Sequence, residues 1–334
     1  MRLLKRGKFL KLLLVLSVCL AVFLSGCGGE NQQRTNKVLY SFKDDKGFVT
    51  NFSEKPQRIL TLSMGLDGIV LGLVPPERLI AINHLADDPI SSNIVKFGKQ
   101  IKDKINVPTA EYILALSPDV VFVNVWTGAE LVRTLRDLGI KVIVLDNPKD
   151  IEGVRKNIVS VSKVLGEEQL GKKLLAKMDA KLDEIQIKVE KLTQGRKKKV
   201  LLLSLMTTYG GKGCIYDDMC NRAGVVNGIT AVGLSVGQAL TKELLVKADP
   251  DVIIMPVYNN HGNYDTDGFI KQYTGDPALQ TLSAVKNKKF FFPREGYTYN
   301  CSQDVVFGVQ EIALAAYGEA FAQDDQLHLQ VWEK

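Results

Sequence analysis

The sequence predicts an α/β fold of two lobes, each built on a mostly parallel central sheet, joined by one long rigid helix with a ligand cleft between the lobes. Three observations carry that prediction. First, short β-branched runs alternate with helical stretches: RILTLS (58–63), RLIAIN (78–83), DVVFVNV (119–125) and KVIVLD (141–146), then a second set in KKVLLLSLM (198–206), DVIIMP (251–256) and KFFFP (289–293). Near-continuous apolar strands of this kind suit sheets covered on both faces. Second, between the two sets lies EEQLGKKLLAKMDAKLDEIQIKVEKL, in which Leu170, Leu174, Met178, Leu182, Ile185, Val189 and Leu192 recur every three or four residues, the signature of a helix with one apolar stripe. About 26 residues at 1.5 Å rise make a rod of roughly 39 Å, long enough to brace two lobes, whereas a flexible hinge would use Gly, Ser or Pro. Third, a chain of 334 residues exceeds one ordinary hydrophobic core.

Taken in order, the chain opens with MRLLKRGKFLK, five basic residues, and the apolar run LLLVLSVCLAVFLSG, which together read as an export signal. The apolar run is short for a membrane span of roughly 20 residues; an uncleaved anchor is the alternative. Leu24-Ser25-Gly26-Cys27 resembles the lipobox of bacterial lipoproteins, so residues 1–26 are expected to be removed and Cys27 to carry a diacylglycerol thioether. Residues 27–37 are polar and read as a tether. Loss of Arg2, Lys5, Arg6, Lys8 and Lys11 brings the formal charge of +6 to about +1. A nucleic-acid partner requires a clustered basic face; the one short run, Arg196–Lys199, precedes a strand and reads as a solvated linker, so nucleic acid is set aside.

KVLYSFKDDKGFVTNFSEKPQRI reads as a hairpin turning at Asp45-Lys46-Gly47. The first lobe then spans 38–165, the connecting helix 166–194 and the second lobe 195–323, with SQDVVFGVQEIALAAYGEAF as a final helix of broad apolar face and 324–334 as a tail without a readable pattern. Beyond Cys19 and Cys27, the cysteines are Cys214, Cys220 and Cys301. An exported protein can oxidise a pair, and Cys214 with Cys220 is the nearest; free thiols or a metal site are the alternatives.

One unit is written twice at identical spacing: Thr109/Thr241, Glu111/Glu243, Pro118/Pro250 and Asp119/Asp251. Thr stands where a helix N-cap belongs, Glu falls in the first turn where the helix dipole favours a carboxylate, Pro ends the helix, and Asp-Val opens a buried strand. Capping alone accounts for Thr and Glu; docking of a partner accounts for the same choice in both lobes.

Residues from about Phe48 to Phe321 resemble the helical-backbone class of bacterial substrate-binding proteins, which feed iron-siderophore, haem and cobalamin ABC importers. The resemblance lies in KPQRILTLS after the DDKGFVT hairpin, TAEYILALSPDVVFV, LRDLGIKVIVLDNPKDIEGVRKNI, the long helix, DDMCNRAGVVN and TKELLVKADPDVIIMP. It implies a monomeric, lipid-anchored extracytoplasmic receptor that binds a small chelate reversibly and presents it to the membrane subunits of an importer. It also implies that Glu111 and Glu243 pair with arginines of those subunits. No intrinsic cofactor is expected. Among cargoes a ferric siderophore stands first, then cobalamin, with haem as the alternative reading.

In open α/β sheets ligands bind beyond the carboxyl ends of the strands. The candidates there are Met64, His84 and Trp126 in the first lobe, and Tyr209, Tyr258, His261, Arg294, Tyr297 and Tyr299 in the second, an aromatic set that suits a large chelate. Each also has a plainer role: Trp126 covering a sheet edge, Met64 in the core, His84 capping a loop, Arg294 in a surface ion pair. His261, on the loop NNHGN, is placed to ligate haem iron. A free-metal binder would require converging His and carboxylates, and only His84, His261 and His328 exist. No Gly-x-Ser-x-Gly elbow, Walker loop or Gly-x-Gly-x-x-Gly turn appears, so no enzymatic activity is expected.

Overall fold

The computed structural model describes residues 37–258 and 264–332; Cys27 and His261 lie outside them. The hairpin is present as β1 (Tyr40–Lys43) against β2 (Val49–Phe52), antiparallel with Tyr40 opposite Phe52. Its turn is held by Asp44, whose carboxylate accepts from Lys46 N and Phe48 N at 2.9 Å and from Arg136 Nη2 at 2.6 Å. A buried Asp saturated in this way fixes the turn and pins the hairpin to the neighbouring sheet edge.

The first sheet contains β3 (Ile59–Thr61), β4 (Leu79–Asn83), β5 (Asp103–Ile105), β6 (Val120–Asn124) and β7 (Val142–Leu145), in the order β5-β4-β3-β6-β7, all parallel. Alternation along each strand explains the double coverage. Ile59, Val120, Phe122, Ile143 and Leu145 belong to the main core, whereas Leu60, Val121, Val123, Val142 and Val144 pack with Ile113, Val132 and Leu135 on the opposite face.

The second sheet orders β11 (Phe290–Phe291), β10 (Val252–Ile254), β8 (Lys199–Leu202) and β9 (Val226–Asn227), again all parallel. β5 and β9 are additions to the sequence reading: three and two residues long, they carry no apolar run of their own. The run 198–206 is strand only to Leu202.

A 26-residue helix, Glu168–Thr193, connects the two sheets and buries Leu174, Met178, Leu182, Ile185 and Val189. Leu170 is half-buried and Leu192, in the last turn, is exposed. From Tyr40 onward the chain packs as one compact unit containing both sheets. Two seams join them. Along the helix Met64–Leu73, Gly65, Gly68 and Gly72 face Cys301, Ser302 and Gln303; a Cβ on Gly68 would stand 2.8 Å from Ser302 Cβ, so only glycine permits this approach. At the second seam, Gly296 N donates to Ile90 O at 3.2 Å, and a Cβ there would meet Ser92 C at 2.7 Å.

The tail carries structure the sequence did not announce. Arg294 Nη1 donates to Gln323 O at 2.7 Å, Leu327 N donates to Tyr297 Oη at 2.6 Å, and Leu329 N donates to Asp304 Oδ1 at 2.8 Å. The segment then crosses to the first lobe, where Val331 N donates to Gly72 O at 2.9 Å and Trp332 Nε1 to Leu71 O at 2.6 Å, with Trp332 only 8% exposed. His328 Nδ1 lies 2.6 Å from Asp304 Oδ2, which also accepts from Asn93 Nδ2 of the first lobe at 2.8 Å. An irregular strap held by side chains has no periodicity, and so reads as blank in a sequence. Among the described residues no helix is long and apolar enough to cross a membrane.

Candidate functional site

The strands β3, β4, β8, β10 and β11 direct their carboxyl ends to one cavity of about 620 Å³. Met64, Gly65 and Gly68 enter from the helix after β3, Leu85 from the turn after β4, and Ser91–Ile94 from the loop beyond it. From the second lobe come Ser204–Met206 after β8, Tyr258 after β10, Tyr264, and Glu295, Gly296, Tyr299, Asn300 and Cys301 after β11. The walls are mostly carbon. Their polar positions are tied down: Tyr299 Oη donates to Ser204 Oγ at 2.9 Å, and Asn300 Nδ2 donates to Asn93 Oδ1 at 3.0 Å across the two lobes.

Glu295 is the anchor of the second-lobe wall. Its Oε1 accepts from Val257 N at 2.6 Å and Tyr258 N at 3.0 Å, which fixes the chain as it leaves β10. Burial raises its pKa, and those two hydrogen bonds act in the opposite direction. Burial also pushes the Cys301 thiol up to about 12, so it lines the cavity as a neutral group. Behind Tyr299 stands Tyr209, with ring centroids 5.0 Å apart.

Of the candidate ligand residues, Met64, Tyr258 and Tyr299 line this cavity. The others on the described chain do not. Trp126 is 77% exposed beyond β6, where its backbone N–H donates to Asn124 Oδ1. His84 lies in the turn after β4, outside the lining, with Nδ1 buried. Tyr209 is a backing residue packed with tilted rings between Tyr299 and Tyr216. Tyr297 is 0% exposed, packed on Phe307 and hydrogen-bonded to the tail. Arg294 is occupied by tail carbonyls and lies 3.7 Å from Glu311.

Cys214 and Cys220 are free thiols, which settles that alternative against the disulfide. Cys214 caps the helix Ile215–Arg222 and Cys220 lies on it; six residues at 1.5 Å rise separate them by about 9 Å, beyond the reach of a disulfide.

Among the lining residues that sequence reasoning missed are Leu85, Ser91–Ile94, Ser204–Met206, Tyr264, Glu295, Asn300 and Cys301. The glycine spacing 65, 68 and 72 was the available signal for the seam beneath them.

The repeated unit is built alike in both lobes. Thr109 Oγ1 accepts from Tyr112 N and Thr241 Oγ1 from Leu244 N, each at 3.3 Å. Glu111 and Glu243 are exposed in the first turns of Ala110–Ala115 and Lys242–Ala248. Hydrogen bonds from its own backbone N–H and from Thr241 hold the Glu243 carboxyl below the ordinary range. Each helix ends at a left-handed residue before the proline, Ser117 (φ 49°) and Asp249 (φ 38°).

Residues 62–295 match the family described as periplasmic binding protein. The chain belongs to the periplasmic binding protein family. Among relatives of this periplasmic binding protein is an uncharacterised ABC transporter substrate-binding lipoprotein of Bacillus subtilis, YvrC. It is 22% identical over 320 residues, covering 91% of this chain and 96% of the relative. The ferric-anguibactin-binding protein FatB of Vibrio anguillarum is 24% identical over 262 residues, 73% of this chain and 76% of FatB. The fold is shared with the periplasmic haem-binding protein RhuT of Roseiflexus, at a TM-score of 0.67 and 21% identity over 80% of this chain and 99% of RhuT. Among the described residues no group of three or more His, Cys, Asp or Glu is placed to hold a metal ion.

Proposed function

We propose that this protein is the lipid-anchored, extracytoplasmic substrate-binding component of an ABC importer, and that it carries an iron-siderophore complex or a corrinoid. One observation carries the reading: a preformed, mostly apolar cavity of about 620 Å³ at the carboxyl ends of both sheets, a size that fits a chelate and far exceeds a bare ion. Exposed Glu111 and Glu243, one on each lobe, supply matched charges for two membrane subunits. Such charges set register and encounter rate more than affinity. The chemistry of this chain is reversible binding; ATP hydrolysis belongs to other subunits. Residues 1–26 act as the export signal and Cys27 as the anchor in this reading. It is tested by titrating purified protein with a ferric siderophore, cyanocobalamin and haemin while following tyrosine fluorescence and the visible spectrum. Saturable one-to-one binding of one of them is the expected result; a perturbed Soret band lost in His261→Ala would favour haem, and no binding by any would refute the proposal.

A further inference from the structure

Resting on that carrier reading, we propose that the C-terminal strap belongs to the binding machinery: Gln326 is a positioning residue that holds the first-lobe wall of the cavity in its binding form and so sets how long a cargo stays. That wall, Ser91–Ile94, runs between the turn His84–Asp87 and the short helix Val95–Gly98 without regular secondary structure. Its beginning is held locally, with Ile90 N and Ser91 N donating to Asp88 Oδ1 at 3.1 and 2.7 Å. Its end is held from the strap. Gln326 Nε2 donates to Ser92 O at 2.8 Å and Val95 N donates to Gln326 Oε1 at 3.0 Å, so one side-chain amide brackets Asn93 and Ile94. Gln326 does this from a left-handed backbone (φ 57°), a conformation that is unfavourable for a residue with a Cβ and open to glycine.

The strap is itself anchored beside this bracket. Asn93 Nδ2 donates to Leu327 O and to Asp304 Oδ2, each at 2.8 Å, and Asn93 Oδ1 accepts from Asn300 Nδ2. His328 holds the same carboxylate: its Nδ1 stands 2.6 Å from Asp304 Oδ2, its side chain is 3% exposed, and its ring meets Phe97 edge-on at 5.3 Å between centroids. Gln326 is not among the described residues lining the cavity, so it acts on a cargo through the backbone of Ser92 and Val95. A wall segment fixed before the cargo arrives spares binding the cost of ordering it. A released segment leaves encounter nearly unchanged and lets the cargo go sooner.

The probe for the test is whichever of a ferric trihydroxamate, cyanocobalamin and haemin saturates the full-length wild type. Association and dissociation rates are read by stopped-flow tyrosine quenching on the wild type, Gln326→Met and Gln326→Gly, with a thermal melt of each. Methionine keeps the length of the side chain and loses both hydrogen bonds; glycine loses them too but relieves the left-handed backbone, so its melting temperature is expected at or above that of Gln326→Met. The expected result is dissociation roughly 10-fold faster in both variants, with association within about twofold of the wild type. Wild-type dissociation rates in both variants, or faster dissociation confined to the less stable of the two, would overturn the positioning role and leave the carrier reading standing. If no probe saturates the wild type, the carrier reading fails and the inference falls with it.

Discussion

In the first lobe the strand that follows the Thr-x-Glu unit, β6, runs out to Asn124 and the exposed Trp126. In the second, β10 runs out to Tyr258, whose backbone Glu295 fixes on the cavity wall. The frameworks beneath are alike. Asp119 Oδ2 accepts from Gln57 N and Arg58 N, and Asp251 Oδ2 accepts from Lys199 N, so each repeated Asp anchors the start of its neighbouring strand. Arg58 reaches Leu116 O and Ser117 O, and Lys199 reaches Ala248 O, covering the carbonyls at each helix end. Even the next turns correspond: the Asn83 side chain accepts from Leu85 N and that of Asn227 from Ile229 N. The comparison teaches that scaffold and recognition separate cleanly. Positions that hold strands and helix ends recur in both lobes, whereas those facing the cavity are unlike.

The largest effect is expected where the two copies act together. Glu111→Ala with Glu243→Ala should abolish uptake of the cargo in cells, while its dissociation constant for the purified protein stays within about twofold; each single variant should retain partial uptake. Lost binding in the double variant would place these residues in the ligand site and end the proposed division of roles.

A smaller difference should separate the two anchoring aspartates. Asp119→Ala removes two exposed hydrogen bonds from backbone N–H groups to a carboxylate and is expected to cost about 2 kcal/mol, against about 1 kcal/mol for Asp251→Ala, which removes one. Urea midpoints measure both, and equal losses would remove the asymmetry.

A third prediction concerns a buried acid of the first lobe. Asp67 sits in the first turn of Met64–Leu73, accepting from Thr61 Oγ1 and from Asn83 N at 3.2 Å. Burial raises its pKa from 3.8 to about 7 against those hydrogen bonds. Because the folded value lies above the unfolded one, its contribution is fully favourable below pH 3.8 and is lost as pH rises toward 7. Asp67→Asn is therefore expected to stabilise the protein at pH 8 by roughly 1–2 kcal/mol and to flatten stability between pH 4 and 7. An unchanged pH profile in thermal melts would contradict this assignment.

The smallest effect should also be the most symmetrical. Thr109→Ala and Thr241→Ala are each expected to cost about 0.5–1 kcal/mol, with the two values agreeing within error in chemical denaturation.

The fold was legible because its signals are local and repeated. Five-residue β6 with Val120, Val121, Phe122 and Val123, or the stripe from Leu174 to Val189, declares its geometry without reference to anything else. β9 was hidden because two residues take their strand conformation from pairing with β8. The cavity was only partly readable. Met64, Tyr258 and Tyr299 follow strands directly, but Arg294 and Tyr297 were diverted by a tail whose hold rests on contacts with residues far away in sequence. Chemistry placed both at a strand end; whether they turned inward or toward the strap depended on Gln323, Asp324 and Leu327. The aspartates of the repeat were seen as strand openers, and their bonds to Gln57, Arg58 and Lys199 could not be, because no spacing rule links those positions.

The strap that ends on Leu71 and Gly72 changes what a carrier of this build can announce. In the proposed carrier that stitch would resist any parting of the two halves, so the empty and the filled chamber are expected to share nearly one outline. A permease would then be left to sort full from empty by what the cargo itself shows at the entrance, and small-angle scattering with and without cargo measures the premise.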